Sequence, residues 1–187
     1  MRFQTAYNLL QGRPAGARQV RPSIATGLDL AKAVSVVGQE LAAHQRVANG
    51  GPPLFSVEVE GAPQDLPPNL REEIYRIAGE ALRNAFCHAR ARQVEVEIRY
   101  ETRQLRVRVR DDGIGIGVDV LSCKDGAEHF GFRGMREHAK SIGGQLEVWS
   151  GYGAGTEVEL TIPASIAYGT HGGQRLRLSP GKIGTNS

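Results

Sequence analysis

The segment VEVEIRYETRQLRVRVRDDGIG, residues 94–115, decides the fold of this chain. Apolar side chains occupy every second position over residues 94–100 and again over 105–109, with charged side chains between them. Residues 101–104 supply a polar turn. This alternation predicts an antiparallel hairpin that buries one face and exposes the other to water.

Further elements can be read outward from the hairpin. In chain order they are a strand over about 55–59, a helix over about 69–88, the hairpin itself, a helix near 132–142, and two strands near 145–150 and 156–162. The apolar stripe of the long helix comprises Leu70, Ile74, Ile77, Ala81, Leu82 and Ala85. This order predicts an α+β fold, a two-layer sandwich in which helices cover one face of a mixed, mostly antiparallel sheet. It disfavours a doubly wound nucleotide-binding fold, because strands and helices do not alternate strictly along the chain as βαβ units require.

The two ends of the chain differ from this central part. Over residues 28–47, apolar residues three and four apart predict an amphipathic helix, and the run NGGPP at 49–53 ends it. Residues 164–187 are rich in Gly and Ser, and we expect them to be a disordered basic tail. The chain is therefore divided into residues 1–53, a folded domain at 54–163, and the tail.

The composition is that of a globular protein, with 40% hydrophobic and 23% charged residues among 187. No apolar run approaches the ~18 residues that cross a bilayer, and the first residues lack the apolar stretch of a secretory signal. Cys87 and Cys123 lie far apart and form no CxxC pair, which predicts neither a disulfide framework nor a zinc site. A cytoplasmic protein without a membrane segment is expected.

The net charge of +3 originates at the two ends of the chain. Residues 1–27 carry four arginines, residues 164–187 carry Arg175, Arg177 and Lys182, and neither segment holds an acid. Removing these seven positive charges leaves the middle of the chain at −4. Nucleic-acid binding is not expected, because a basic binding face should be built on the folded domain.

Glu80, Asn84 and His88 stand four residues apart on the predicted long helix and so share one of its faces. A solvated polar face is one explanation for them. Asn is nonetheless a poor mid-helix residue unless its amide has a partner. The second explanation is a binding site for a metal-bound phosphate chain. Such a site needs an acid, a neutral oxygen ligand and a potential cation, which these three residues offer.

Three glycine-containing motifs follow the hairpin. DDGIG at 111–115 places a carboxylate at a strand end, beside backbone that a flat, amino-bearing base can approach closely. GFRGM at 131–135 opens a helix whose first N–H groups could face an anion, and GAGT at 153–156 precedes the last strand. Each motif taken alone also fits an ordinary turn. Neither a Walker P-loop nor the dinucleotide fingerprint GxGxxG occurs.

In order and spacing, these motifs and EALRNAFCH at 80–88 resemble the ATPase domain of sensor histidine kinases. That domain belongs to a wider group with type II topoisomerases and the heat-shock-ninety chaperones. The resemblance covers about 54–163. The GMRE and GAGT sequences are similar to those of the subfamily whose partners are LuxR-type response regulators, and in particular to kinases with propeller-type sensors.

The resemblance implies that the chain binds ATP together with Mg²⁺. Asn84 would coordinate Mg²⁺, Glu80 would polarise the attacking group or a metal-bound water, and Asp111 would accept from the adenine amino group. His88 would lie near the phosphates. The other implied ATP-binding positions are Gly113, Gly115, Gly131 and Gly134, which would bound a mobile lid, with Met135, Gly155 and Thr156. Phosphoryl transfer depends mostly on positioning and charge neutralisation, which these residue types can supply.

A histidine kinase also needs an acceptor histidine on a dimerising helical hairpin, typically followed by an acid. None of the five histidines has that context, and His44, for example, precedes Gln45. Residues 2–17 and 27–42 resemble the ends of the two dimerisation helices, and too few residues separate them for two helices of ~20 residues. The resemblance therefore implies a truncated kinase that does not phosphorylate itself, with residues 1–53 as a remnant of the dimerisation region.

Other functions stay open at this point. As a kinase, the chain would have a response regulator or a separate acceptor-histidine domain as its partner. The same fold could also serve as a non-catalytic ATP-binding or interaction module derived from a kinase, or as an anti-sigma-type serine kinase. A nucleic-acid binder would instead show salt-dependent retention by DNA.

Overall fold

In the computed structural model of the protein, the described residues are 29–44, 52–116 and 130–169. The elements, in chain order, are α1 Asp29–His44, β1 Leu54–Glu60, α2 Pro68–His88, β2 Gln93–Tyr100, β3 Gln104–Asp111, α3 Phe130–Ser141, β4 Gln145–Gly151, β5 Gly155–Pro163 and α4 Ala164–Ala167. The predicted strands and helices of the central part are present, with bounds that differ by one or two residues. No helix in the described ranges is both long enough and apolar enough to cross a membrane.

The five strands form one sheet in the order β1-β2-β3-β5-β4. β1 pairs with β2 in parallel, and the other neighbouring pairs are antiparallel. The predicted mixed, mostly antiparallel sheet is thereby confirmed, and the parallel pair exists because α2 crosses over between its two strands. The register puts Asp111 of β3 opposite Thr156 of β5, and Thr156 opposite Ser150 of β4. Three polar residues therefore lie side by side at one end of the sheet.

The hydrophobic core lies between the helices and the inner face of the sheet. The inward residues of the central hairpin are all buried, namely Val94, Val96, Ile98, Leu105, Val107 and Val109. α2 packs against them with its apolar stripe, every predicted member of which is buried. Ile74 and Leu82 have no exposed surface, so replacing either by Ala should cost about 2–5 kcal/mol of stability.

The opposite face of the sheet carries charged side chains in cross-strand pairs. Arg108 lies 2.9 Å from the Glu97 carboxylate, and Arg106 lies 3.7 Å from that of Glu159. These pairs are partly exposed, so each contributes at most about 1 kcal/mol. Their main effect is to keep this face in water, which confines the core to the helix side.

α1 packs against α2 and β1. Its Leu30 and Val34 are buried in the same core as the apolar stripe of α2. Gly38 faces the ring of Phe55, where a Cβ would overlap the ring atoms, so this helix and β1 approach closely. Residues 29–44 thus share the core of the domain that was predicted to begin at 54. Residues 1–28 and 45–51 lie outside the described residues.

The folded part of the chain continues past residue 163, where the predicted tail begins. Ala164–Ala167 form α4, and Ala167 has no exposed surface. The ring of Tyr168 stacks on that of Tyr100 with 6.5 Å between the centroids. The structure differs from the prediction here because the Gly- and Ser-rich composition of the tail concealed a short apolar segment at its start. Residues 170–187 lie outside the described residues.

Candidate functional site

Asp111, the last residue of β3, is buried although its side chain is acidic. Its Oδ1 accepts the backbone N–H of Gly113 at 2.9 Å, and the backbone N–H of Thr156 also donates to the carboxylate. Burial raises the pKa of Asp111 most, and these two N–H groups oppose the rise, while the nearby charge of Asp112 adds to it. A buried, oriented carboxylate of this kind is suited to accept a hydrogen bond from the amino group of a base.

The loop after Asp111 is fastened to the end of α2. The N–H of Ile114 donates to the carbonyl oxygen of Ala89 at 2.8 Å, and a Cβ on Gly113 would overlap that same oxygen. Oδ1 of Asp112 accepts the two backbone N–H groups at the start of β2 at 2.7 and 2.9 Å. The two adjacent aspartates therefore differ in role, because Asp112 ties the loop down while Asp111 sits at the sheet end.

The turn between β4 and β5 packs onto the same loop through two of the predicted glycines. Gly155 has a φ of 77°, and a Cβ there would overlap the carbonyl oxygen of Asp111. Gly115 has a φ of 67°, and a Cβ there would overlap the carbonyl oxygen of Gly151. Left-handed backbone and close approach together make both positions specific to glycine.

Ser150 belongs to this cluster although the sequence did not identify it. Its Oγ accepts the N–H of Ile116 at 2.8 Å, donates to the carbonyl oxygen of Gly155 at 2.8 Å, and lies 2.9 Å from Oγ1 of Thr156. Thr156 therefore contacts the loop after Asp111 indirectly, through the hydroxyl group of Ser150. An isolated serine in an edge strand has no distinctive sequence signal, and only the pairing of β4 with β5 reveals it.

A cavity of about 380 Å³ opens beside Asp111 and Thr156. Its remaining lining residues are Arg110, Trp149, Ser150, Gly151, Ala154, Gly155 and Glu157. Because Arg110, Trp149 and Glu157 project from the charged face of the sheet, part of this cavity belongs to that face. The rest of the cavity borders Asp111 and Thr156, two of the predicted site residues.

On α2, the structure brings Glu80 and Asn84 together with Gly131 of α3. Both α2 residues are partly exposed, and His88, the last residue of the helix, is exposed. A Cβ on Gly131 would lie 3.2 Å from Oε1 of Glu80 and 3.6 Å from Nδ2 of Asn84. The other carboxylate oxygen of Glu80, Oε2, is held by the guanidinium of Arg83, which the sequence reading did not include.

The remaining predicted residues of α3 have different surroundings. Among the described residues, no heavy atom lies within 4 Å of the position that a Cβ on Gly134 would take. Met135 is only 2% exposed, so its side chain anchors α3 in the core. Nδ1 of His138 lies 2.7 Å from Oε2 of Glu73, which ties α3 to α2. The interior of the predicted lid, residues 117–129, lies outside the described residues.

The loop after Asp111 and the N-terminal end of α3 both contact the C-terminal part of α2. Gly131 abuts Asn84, and Gly113 abuts Ala89. These two helix positions are separated by about 7.5 Å at a rise of about 1.5 Å per residue. The Asp111 cluster and the Glu80–Asn84 pair therefore lie at the same end of the molecule.

The residues of α2 fit a magnesium ion that is bound mainly by phosphate oxygens. Within the described ranges, no group of three or more His, Cys, Asp and Glu side chains could hold a metal by itself. Mg²⁺ often takes one or two protein oxygens and completes its octahedral shell with water and phosphate. The amide oxygen of Asn84 and Oε1 of Glu80 are the donors that this part of the helix offers.

Comparison with known families decides where this fold belongs. Residues 69–166, just over half of the chain, match the family described as Histidine kinase-, DNA gyrase B-, and HSP90-like ATPase. The chain belongs to this ATPase family. The matched residues include Glu80, Asn84 and His88 on α2, the loop after Asp111 and the turn before β5.

Histidine kinases are among the similar proteins. Sensor histidine kinase LiaS of Bacillus subtilis (strain 168) is 35% identical over 109 residues, which are 57% of this chain and 29% of that protein. The chain thus spans less than a third of the length of this relative. A blue-light activated histidine kinase of Erythrobacter litoralis EL346 has 31% identity and a TM-score of 0.55, over 75% of this chain and 42% of that one. Residues of this chain are therefore similar to parts of histidine kinases.

Two further solved structures support the fold. The histidine kinase domain of the same Erythrobacter litoralis protein has 29% identity and a TM-score of 0.56, over 81% of this chain and 67% of that one. The catalytic domain of histidine kinase ThkA, in a nucleotide-free form, has a TM-score of 0.58 at 16% identity, over 74% of this chain and 94% of that domain. The predicted fold class is confirmed, and the predicted LuxR-type subfamily stays a prediction.

Proposed function

We propose that this chain binds Mg-ATP and acts as the catalytic domain of a two-component sensor histidine kinase. The observation that carries the proposal is that two groups of residues lie beside the C-terminal half of α2. One cluster presents the buried carboxylate of Asp111, and the other presents Glu80 and Asn84 beneath Gly131. Membership of the ATPase family and similarity to sensor histidine kinases support this assignment.

In the proposed complex, each cluster binds one part of the nucleotide. Asp111 accepts from the adenine amino group, while Thr156 and the glycine turns fix the carboxylate in place. Asn84 would supply an oxygen to Mg²⁺, which would neutralise charge on the phosphates. Glu80 would polarise the attacking group or a metal-bound water, and His88 would lie beside the phosphates. The chain's contribution is therefore positioning and electrostatic stabilisation.

The proposal places the acceptor histidine outside these 187 residues. Of the five histidines, none is followed by an acid, and His88 is assigned to the nucleotide site. A separate acceptor-histidine domain would then receive the phosphoryl group, and a LuxR-type response regulator in the cytoplasm would receive it next. The sensor linked to such a kinase would be of the propeller type.

Incubation with γ-labelled ATP and Mg²⁺ tests this function. The chain alone should remain unlabelled, whereas an added acceptor domain from a kinase of the same subfamily should gain label that is stable to alkali and lost in acid. The Asp111→Asn variant is the matched control: at an ATP concentration near the dissociation constant of the parent, it should transfer label much more slowly. Label on the chain itself would overturn the assignment of the acceptor. Saturable ATP binding without transfer to any acceptor would favour the non-catalytic module.

A further inference from the structure

Arg83 lies one position before Asn84 and has no role in the function proposed above. Its Nε lies 3.2 Å from Oε2 of Glu80, and its Nη2 contacts the same oxygen. The two side chains are each about one third exposed, at 33% and 34%. This ion pair therefore lies at the surface of the candidate site, where solvent and a ligand can both reach it.

The pair distinguishes the two oxygens of the Glu80 carboxylate. Oε2 is committed to the guanidinium of Arg83, while Oε1 faces the position of a Cβ on Gly131 at 3.2 Å. The same Cβ position lies 3.6 Å from Nδ2 of Asn84. Arg83 thus holds one carboxylate oxygen of Glu80, while the other oxygen lies on the side of Gly131, where Asn84 also lies.

We propose that Arg83 is a positioning residue, which holds Glu80 through Oε2 and compensates its charge beside the bound triphosphate. This inference depends on the proposed nucleotide site. Without Arg83, the Glu80 carboxylate would be free to rotate and would add an uncompensated negative charge next to the phosphates. Arginine suits this role because its planar fork bonds a carboxylate with two donors, which the ammonium of lysine does not reproduce.

A double-mutant cycle on Mg-ATP binding tests the role of Arg83, with the full chain and the dissociation constant measured by calorimetric titration. Arg83→Gln should weaken Mg-ATP binding about two- to fivefold, the range expected for a partly exposed ion pair. Arg83→Lys should restore only the part of the loss that comes from the charge, because its ammonium does not reproduce the two-donor contact with Oε2. In a Glu80→Gln background, Arg83→Gln should have no further effect, because no carboxylate then remains to be compensated.

A second ion pair on the same helix provides the control. Arg76 lies 2.9 Å from the carboxylate of Glu72, and both residues precede Glu80 on α2 by at least one helical turn. Arg76→Gln should therefore leave Mg-ATP binding unchanged. Melting temperatures without nucleotide show whether any variant is unfolded. If Arg83→Gln does not fold, Arg83→Lys is measured in both backgrounds and should weaken binding in the parent but not in the Glu80→Gln background.

The other possible results of the double-mutant cycle distinguish the alternative roles of Arg83. An equal loss from Arg83→Gln in both backgrounds would show that Arg83 contacts the phosphates directly, and no loss in either would show that it is a surface residue. Both results would overturn the positioning role while leaving the nucleotide site intact. Absence of Mg-ATP binding by the unmutated chain would instead overturn the proposed function itself.

Discussion

Replacing Asp111 by Asn perturbs the proposed base-binding group with little change of shape. Asn has one oxygen in place of two, and two backbone N–H groups already donate to the Asp111 carboxylate. If that oxygen keeps serving Gly113 and Thr156, the amide NH₂ faces the adenine amino group, and two donors then oppose each other. The variant should therefore lose the hydrogen bond to the base rather than weaken it.

The size of this loss follows from the charge on the acceptor. A hydrogen bond to a charged group contributes about 1.5–3 kcal/mol, and a loss of about 2 kcal/mol weakens binding roughly 30-fold. At a Mg-ATP concentration of about 100 times the parent dissociation constant, the parent gains about 2.7 kcal/mol of stability and the variant about 0.9 kcal/mol. Without ATP, the variant should stay within about 1 kcal/mol of the parent, because a buried charge is removed at the same time.

Thermal denaturation over a series of Mg-ATP concentrations measures both quantities. Asp112→Asn is the matched control, because this neighbouring carboxylate accepts only backbone N–H groups at the start of β2 and an Asn oxygen can still accept them. It should leave the ATP-dependent shift unchanged. An undiminished shift in Asp111→Asn, or an equal loss in both variants, would refute the assignment of Asp111 to the adenine.

Three further predictions follow from the same site. Asn84→Ala should remove the dependence of ATP binding on Mg²⁺, so titrations with and without the metal should give the same dissociation constant; a retained metal effect would count against Asn84 as a ligand. Gly155→Ala should unfold at a lower urea concentration than Gly153→Ala, since both have positive φ but only the Cβ at Gly155 would overlap Asp111; Gly153→Ala should cost only about 1–2 kcal/mol. Burial raises the pKa of Asp111 in the folded protein above 3.8, its value in the unfolded chain. At a pH between these two pKa values, unfolding releases a proton. The stability of the parent relative to Asp111→Asn should therefore fall as the pH rises through that window in urea denaturation, and a relative stability that rises with pH would contradict this.

The sequence was sufficient for those parts of the fold that depend on local patterns. Alternation over 94–109 predicted the central hairpin, and the stripe on α2 follows from a 3.6-residue period. Gly113 and Gly115 were predicted as points where the backbone can approach a ligand, and Gly155 was implied by the family resemblance. The structure shows that each of the three lies where two backbone segments touch. The sequence shows the glycine at such a contact, but it does not show which distant segment the glycine touches.

Several contacts of the site were not predicted. Ser150 joins the site through its pairing with Thr156, which depends on the register of β4 and β5. Arg83 and Glu80 stand three apart on α2, a spacing that many helical ion pairs share, so the spacing alone did not mark this pair as part of the site. Likewise, Tyr168 was assigned to the tail because its partner, Tyr100, is far away in the chain.

The most direct test of the account is the structure of this chain with Mg²⁺ and a non-hydrolysable ATP analogue. We expect one nucleotide, with its adenine amino group about 2.7–3.2 Å from the Asp111 carboxylate and the metal about 2.0–2.1 Å from the Asn84 side-chain oxygen. A nucleotide bound on the charged face of the sheet, or a metal remote from Asn84 while the base contacts Asp111, would contradict it.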